Sequence, residues 1–198
     1  AWTGAACLLV ALLRPAPAAP CTVSTANTNL GAQPSFVVAT QAQQGSGSSG
    51  LQCEILLAAL TTHYVGLRVD SSTFRLVGPT GQQIPYTVSL SAGGPALAVN
   101  SFQNLSSISV VSLFAGTNNA IPFYFRTTPT AGLRAGVYRG SMVVRWYYSV
   151  CSLGVLACLA YSNSPGFVRP ALLVALDWGT GTAATINVEL SVNNDCII

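Results

Sequence analysis

The sequence carries very little charge, and it contains no lysine. Only 7% of its 198 residues are charged, and all eight basic residues are Arg, whereas about 25% of residues are charged in an average soluble domain. The formal net charge is +3 at pH 7, and the arginines are scattered singly along the chain. No stretch forms the basic stripe that a phosphate backbone requires, so we predict no nucleic-acid partner.

The side chains needed for hydrolytic or metal chemistry are also scarce. His63 is the only histidine, and the only acid near it in the sequence is Asp70, which leaves no evident base with an orienting partner. The five acidic residues include no pair close in sequence, although paired carboxylates are typical of acid–base catalysis. A zinc site at Cys151 and Cys158 would lack a second pair of ligands. We therefore predict no enzymatic activity, no metal and no cofactor.

Long apolar runs are absent after residue 20, even though the chain is apolar overall. Mean hydropathy is +0.52, but Ser, Thr, Asn and Gly interrupt every run before it reaches the roughly 20 residues needed to cross a bilayer. Hydroxyl and amide groups supply the polarity that charges supply elsewhere. The length suits one domain with a core of its own.

Residues 1–19 are typical of the remainder of a secretory signal. An apolar stretch, Ala5–Leu13, precedes Ala16, Ala18 and Ala19 near an expected cleavage point. Arg14 directly after the apolar stretch is atypical, and a buried N-terminal element kept in the mature protein is the alternative. Cleavage near Ala19 would leave an odd number of cysteines, which is unusual for an exported chain. These are Cys21, Cys53, Cys151, Cys158 and Cys196.

Hydrophobic periodicity favours strands. Apolar residues alternate with polar ones in three runs, and a period of two places each set on one face of a sheet. Gly-rich turn signals separate the runs, as in a β-sandwich. Only the segment from Leu56 to Tyr64 could equally be a helix or a buried strand. The alternating sets are Ile84, Tyr86, Val88 and Leu90; Tyr138, Met142, Val144, Trp146 and Tyr148; and Ile186, Val188, Leu190 and Val192.

One glycine pattern matches a dinucleotide-binding fingerprint. Gly45, Gly47 and Gly50 have G-x-G-x-x-G spacing, and Asp70 follows twenty residues after Gly50. The glycines do not directly follow a predicted strand and no further βαβ pattern appears, so the fingerprint lacks its structural context. A Ser/Gly-rich hairpin or linker, with glycines supplying flexibility, is the preferred interpretation.

Cys151 and Cys158 bracket the apolar sequence SLGVLA, and a local disulfide is the default for an exported protein. Such a bond would make the enclosed loop a rigid apolar projection, with Leu153, Val155 and Leu156 at its tip. The alternative is a loop that folds down onto the core. Two further apolar segments border turns, and exposed apolar patches commonly mark binding sites. They add Phe114, Ile121 and Leu97 to the candidate surface-binding residues.

Three stretches together resemble the spore coat protein U domain family, which includes subunits and two-domain tip adhesins of archaic (Csu-type) chaperone-usher pili. They are CTVS at Cys21 with a second cysteine at Cys53, AGVYRGSMVV at Ala135–Val144, and the ending INVELSVNNDC. RWYYSVC, running into the cysteine-bracketed loop, is similar to the N-terminal receptor domain of the tip adhesins. The similarity extends from Cys21 to Cys196.

The resemblance implies an all-β, immunoglobulin-like β-sandwich with long apolar loops and disulfide-bonded Cys21, Cys53, Cys151 and Cys158. It implies a signal remnant at 1–19, an adhesin domain at 20–194, and the start of a truncated second, pilin domain at 195–198. Shaft pilins donate a strand that precedes their first cysteine. Cleavage near Ala19 would leave almost nothing there, so the expected position is the pilus tip.

The implied function is attachment to abiotic or host surfaces, and biofilm formation, through exposed hydrophobic loops. The expected partners are a periplasmic chaperone, an outer-membrane usher, the adjacent pilin subunit through the missing second domain, and a hydrophobic surface or unknown receptor. The expected location is extracellular, after export through the periplasm. A structural spore or envelope coat protein of the same fold is the alternative function.

Overall fold

The computed structural model describes residues 21–54, 63–151, 158–171 and 177–194, and strands dominate these ranges. No helix in them is long and apolar enough to cross a membrane. The elements are β1 (Cys21–Val23), β2 (Ala26–Pro34), α1 (Ser35–Thr40), β3 (Gln44–Cys53), β4 (Tyr64–Ser72), β5 (Arg75–Val77), β6 (Gln83–Ser89), β7 (Phe102–Asn104), α2 (Val110–Leu113), β8 (Ala120–Thr127), β9 (Gly136–Val150) and β10 (Asp177–Asn193), with a 3-10 turn at Thr117–Asn119.

The strands follow one hydrogen-bonded path that curls so that its halves face each other. The order is β1-β3-β8-β6-β5-β9-β10-β2, and β4 pairs with both β9 and β7. Trp146 on β9 stacks on Phe123 of β8, with 6.3 Å between ring centroids. Its Nε1–H donates across the core to the carbonyl oxygen of Ser49 on β3. These contacts join the two layers of a sandwich.

The alternating runs form the core as predicted. Their apolar side chains on β6, β9 and β10 are buried, except Leu90, which is half-buried just beyond β6. Because alternate residues face opposite sides of a strand, each set covers one layer's inner face. The predicted all-β fold is therefore confirmed.

β10 closes the sandwich from within the chain. It pairs antiparallel with β9 from Asp177 to Val192 and parallel with β2 from Ile186 to Asn193. Along the alternating run from Ile186 to Val192, β10 therefore has a hydrogen-bonded strand of the same chain on each edge.

The Gly-rich segment is not a hairpin or flexible linker, and that prediction is wrong. Gly45, Gly47 and Gly50 all lie within β3, which pairs with β8 and β1. An added Cβ at Gly50 would lie 2.5 Å from the Cβ of Ala184 and 2.6 Å from the carbonyl oxygen of Ser24. These glycines permit close approach between the layers, rather than flexibility.

The other Gly-rich turn signals predicted between the alternating runs lie at Gly78–Gly81, Gly93–Pro95, Gly116–Asn119 and Gly179–Gly181, and the structure does not form a turn at all of them. Gly78–Gly81 and Gly93–Pro95 lie in connections between strands, and Gly116–Asn119 forms the 3-10 turn region. Gly179–Gly181, in contrast, lies within β10, where the register with β9 shifts between Thr180 and Thr182. A bulge, not a chain reversal, explains the glycines there.

Several predictions concern residues outside the described ranges. These are the signal remnant at 1–19, the start of a second domain at 195–198, the helix-or-strand question over most of Leu56–Tyr64, and the loop-tip residues Leu153, Val155 and Leu156.

Candidate functional site

Strand directions bring three long connections to one end of the sandwich, called here the loop end. Tyr64 on β4 lies opposite Ser149 on β9, and Asp177 on β10 lies opposite Val150. The pairing of Gln52 with Ala120 places the start of β8 at the same end. Among the described residues, the loop end therefore includes 54, 63, 105–119, 151 and 158–171.

Two disulfides stabilise this end. Cys21 bonds Cys53 and links the edge strand β1 to β3. Cys151 bonds Cys158 immediately after β9, as their spacing predicted. The second bond closes a short loop at the start of the longest connection, so the base of that loop is fixed covalently.

Hydrogen bonds fix the part of this connection that follows Cys158. The buried Asn163 side chain donates through Nδ2 to the carbonyl oxygens of Tyr148 and Gly179, which bridges β9 and β10. The backbone N–H of Tyr161 donates to Ser149 Oγ at 3.2 Å. These bonds hold the connection against the ends of the two longest strands.

His63 is a structural residue in this arrangement. It is buried and its Nδ1 accepts a hydrogen bond from the backbone N–H of Cys151 at 3.4 Å. The contact links the start of β4 to the disulfide.

Three of the six exposed large apolar side chains among the described residues lie at the loop end, and the other three are Phe36, Val77 and Val99. Val168 is 84% exposed, Leu159 is 58% exposed and Ile108 is 41% exposed. None of these three residues was predicted from the sequence as a binding residue. The sequence pattern that could have identified them is an apolar residue in a connection rich in Gly, Pro and Ser. In such a connection no strand periodicity assigns the residue to the core.

An aromatic and cationic cluster lies beside Val168. The rings of Phe167 and Trp178 are 5.7 Å apart, and the Arg169 guanidinium lies 5.7 Å from the centre of the Trp178 ring. Cation–π attraction orients the arginine over the indole. The loop end thus combines exposed aliphatic groups with one oriented positive charge.

Three predicted surface-binding residues are not exposed, and the prediction of exposure is wrong for them. Leu97, Phe114 and Ile121 have exposures of 7%, 6% and 1% and belong to the hydrophobic core. Ile121 lies in β8, and the N–H of Leu97 donates to the carbonyl oxygen of Val88, which draws its loop onto β6. These apolar groups face inward because neighbouring strands offer them a surface to bury.

The few charged groups are mostly structural. Asp70 is held between Arg68 and Arg145 on the outer face of the sheet. Burial alone would raise the pKa of Asp70, but hydrogen bonds from Arg145 and Arg68 outweigh it and lower the pKa. Burial, with the nearby charge of Asp177, raises the pKa of Tyr148 to about 12.

Asp177 connects the first described residue to the loop end. Its carboxylate accepts the backbone N–H of Cys21 at 2.9 Å and that of Trp178 at 2.8 Å. In the described ranges, no three His, Cys, Asp or Glu side chains are grouped to hold a metal ion.

The sequence matches the Spore Coat Protein U domain family over residues 6–145. The chain belongs to this family. The match includes the Ala135–Val144 stretch of this spore coat U domain and ends within β9, so the INVELSVNNDC ending lies beyond it. A comparison with curated protein sequences gave no match.

Solved structures share the fold of this spore coat U domain. A chain of the CsuC–CsuE chaperone–tip adhesion subunit pre-assembly complex, from archaic chaperone-usher Csu pili of Acinetobacter baumannii, is 24% identical with a TM-score of 0.68; the alignment covers 87% of this chain and 60% of that one. The spore coat U domain thus spans about 60% of that solved chain.

Two more distant structures come from enterotoxigenic Escherichia coli. The CooA pilin subunit is 16% identical with a TM-score of 0.44, over 85% of this chain and 91% of that one. A mutant of the CFA/I adhesin CfaE is 14% identical with a TM-score of 0.48, over 88% of this chain and 49% of that one.

Proposed function

We propose that this spore coat U domain is the adhesive domain at the tip of a chaperone-usher pilus, where it attaches to abiotic or host surfaces and supports biofilm formation. The observation that carries the proposal is the loop end, where exposed Leu159 and Val168 lie on a connection anchored by a disulfide. Family membership and a fold shared with a chain of a chaperone–tip adhesion subunit complex support it. The domain binds without catalysis.

The proposed contact is hydrophobic and individually weak. Burying on the order of 100 Å² of apolar surface contributes roughly 2.5 kcal/mol at ~25 cal/mol per Å². Many pili acting together raise the effective affinity by orders of magnitude without any new contact. A small set of apolar side chains on each tip is therefore sufficient for firm attachment of a cell.

A rigid presentation strengthens such a contact because less conformational freedom is lost on binding. The Cys151–Cys158 bond and the Asn163 bridge restrain the connection that carries Leu159 and Val168. The apolar tip of the enclosed loop, with Leu153, Val155 and Leu156, belongs to the proposed surface as a prediction from sequence.

Two observations support the proposed assembly partners. One is family membership, and the other is that β10 is hydrogen-bonded to a strand on each edge. A sandwich closed by its own final strand does not need a donated strand to complete its core. A periplasmic chaperone and an outer-membrane usher would then act on a following pilin domain, proposed to start at 195–198. That domain would join the adjacent subunit and place this one outside the cell.

The test replaces exposed apolar groups by charge. Leu159→Asp with Val168→Asp is expected to abolish attachment of piliated cells to polystyrene, because the contact would bury two carboxylates. The matched control is Val77→Asp with Val99→Asp, which changes two valines that are 43% and 37% exposed away from the loop end. Surface pili are quantified by immunoblot for both variants.

Undiminished attachment of the Leu159/Val168 variant at equal pilus number would contradict the proposal, as would equal loss in the control. A second variant, Val155→Asp with Leu156→Asp, separates the contribution of the enclosed loop. It is expected to abolish attachment while secretion and pilus assembly continue. Normal attachment would remove that loop from the surface.

A further inference from the structure

A shallow trough runs across the outer face of the layer formed by β3, β8 and β6. Strand register sets its floor in two complete cross-strand rows. One row is Gln44, Arg126 and Thr87, and the next is Ser46, Tyr124 and Ser89. Two depressions meet in it, and Ser46 and Tyr124 line both. We call this surface the Tyr124 trough.

Tyr124 is the aromatic platform of the trough. Residues on its strand alternate, so Phe123 and Phe125 are buried while Tyr124 faces outward and is half-buried. Its cross-strand neighbours are both serines, which leave the ring standing above small side chains. Gly93 and Gly94, from the β6–β7 connection, line one side of the larger depression.

The trough has one cation and no anion. Arg126 is exposed at its edge, and none of the ion pairs between described residues involves it. No Asp or Glu of the described ranges lines either depression. Uncompensated positive charge beside hydroxyl and amide groups favours a ligand that carries a carboxylate.

The geometry disfavours peptide ligands. A peptide that adds to a sheet needs a free strand edge, but β8 is hydrogen-bonded to β3 on one side and β6 on the other. An amphipathic helix needs an apolar groove, whereas Gln44, Ser46, Thr87 and Arg126 make this surface polar. The larger depression measures 440 Å³, within the range of about 300–1,000 Å³ typical of small-ligand sites.

We propose that the Tyr124 trough binds an acidic polysaccharide through its uronic-acid units. A sugar ring has an apolar face of C–H groups, which packs on the Tyr124 ring, and a rim of hydroxyls. Its carboxylate pairs with the Arg126 guanidinium, which can donate two parallel hydrogen bonds. Gln44, Ser46 and Thr87 supply donors and acceptors for the hydroxyls.

Ser89 has a defined role in this arrangement. Its hydroxyl donates its proton to the carbonyl oxygen of Ser91 at 2.8 Å, so its oxygen can act toward a ligand only as an acceptor. The trough is thus a fixed pattern on a rigid sheet, which limits the entropy lost when a saccharide binds.

The experiment is calorimetric titration of the purified, disulfide-bonded domain with tetragalacturonate, and with maltotetraose as the neutral tetrasaccharide. Tetragalacturonate is expected to bind, and maltotetraose to bind at least about tenfold more weakly, because a hydrogen bond to a charged group is lost. Increasing ionic strength is expected to weaken tetragalacturonate binding.

Variants separate stacking from charge. Tyr124→Ala and Arg126→Gln are each expected to weaken tetragalacturonate binding at least about tenfold, while Tyr124→Phe retains the ring and stays within about threefold. Arg134→Gln, which removes an exposed arginine elsewhere, is the matched control and is expected to have no effect. Unchanged melting temperatures establish that the variants fold.

No tetragalacturonate binding, equal binding of maltotetraose, or binding that Tyr124→Ala leaves unchanged would each overturn the proposal. The loop-end variant Leu159→Asp with Val168→Asp is expected to bind tetragalacturonate normally. The two surfaces are therefore tested independently of one another.

Discussion

The substitution Gly47→Ala tests whether the Gly-rich strand exists to allow two layers to touch. A Cβ at Gly47 would lie 2.9 Å from Thr28 Cβ and 3.0 Å from Thr28 Cγ2, and would overlap Thr28 Oγ1. Thr28 is only 4% exposed, so its side chain has little room to move away. We therefore expect Gly47→Ala to destabilise the domain through steric conflict.

The magnitude follows from two opposing effects. Overpacking a close contact costs about 1–3 kcal/mol. Alanine restricts the unfolded chain more than glycine, which returns about 0.4–1 kcal/mol where the backbone tolerates it. Steric conflict is the larger effect, and the free energy of unfolding is expected to fall by about 1–2 kcal/mol.

A compensating substitution makes the prediction specific. Thr28 Oγ1 is buried without a hydrogen-bond partner, so Thr28→Ala removes an unsatisfied polar group and costs less than about 1 kcal/mol. In the double variant the overlap with Oγ1 and the contact with Cγ2 disappear, while the Cβ atoms at positions 28 and 47 remain 2.9 Å apart. Gly47→Ala is therefore expected to cost less in the Thr28→Ala background than in the parent protein, with a coupling energy of about 0.5–1 kcal/mol.

The assay is urea unfolding followed by tryptophan fluorescence, with disulfides intact. Gly45→Ala is the matched control on the same strand, because its added Cβ meets only Leu30 Cδ2 within 3 Å, and that methyl can rotate away. It is expected to cost less than Gly47→Ala. Unchanged stability of Gly47→Ala, or failure of Thr28→Ala to rescue it, would refute the close-approach explanation.

Three further predictions concern the charge cluster, the local disulfide and the core. The carboxylate of Asp70 stabilises the folded protein fully at pH values above its ordinary pKa of 3.8, and this stabilisation is lost as the pH falls through the lower pKa of the folded state. Asp70→Asn should therefore lower the urea midpoint at neutral pH. The midpoints of the variant and the parent protein should converge as the pH falls below about 4. Cys151→Ser with Cys158→Ser should lower stability by about 2.5 kcal/mol, from the chain entropy of an eight-residue loop, measured by calorimetry; no loss would contradict this. Trp146→Phe should cost about 2–3 kcal/mol by urea unfolding, because Ser49 loses its donor and a cavity opens; a near-neutral result would contradict this.

Local periodicity was sufficient to predict the fold class. In the alternating sets that begin at Ile84, Tyr138 and Ile186, the apolar residues identify the buried face of the strand, because successive side chains of a strand point to opposite faces. The disulfide at Cys151 was equally local. These features depend on residues close in sequence.

Features set by distant residues could not be predicted in the same way. β3 has no apolar alternation between Gly45 and Gly50, and its strand structure depends on register with β8 and on contact with Thr28. Phe114 and Ile121 look like loop-tip residues in sequence, but the neighbouring strands bury them. Whether these two side chains face the core depends on how strands distant in sequence pack against them.

The candidate site shows the same division. The sequence identified the cysteine-bracketed loop as a candidate, but Leu159 and Val168 lie beyond it in a segment without periodicity. Asn163 fixes this segment by bonding Tyr148 and Gly179, which are fifteen and sixteen residues away. The grouping of three connections at one end depends on the directions of the strands, which cannot be predicted from a local sequence pattern.

The length and direction of β10 determine how the domain would resist a pulling force. The strand has 17 residues, about 56 Å at 3.3 Å each, and it leads from the loop end to the opposite pole. Under the proposed function, in which the loop end binds a surface and a pilin domain follows this one, tension would enter through Asn193 and act along this strand. Its ladders with β9 and β2 are then sheared, with many bonds sharing the load simultaneously instead of opening one after another. A sheet loaded in this direction would let the domain stay folded while it attaches the cell under tension.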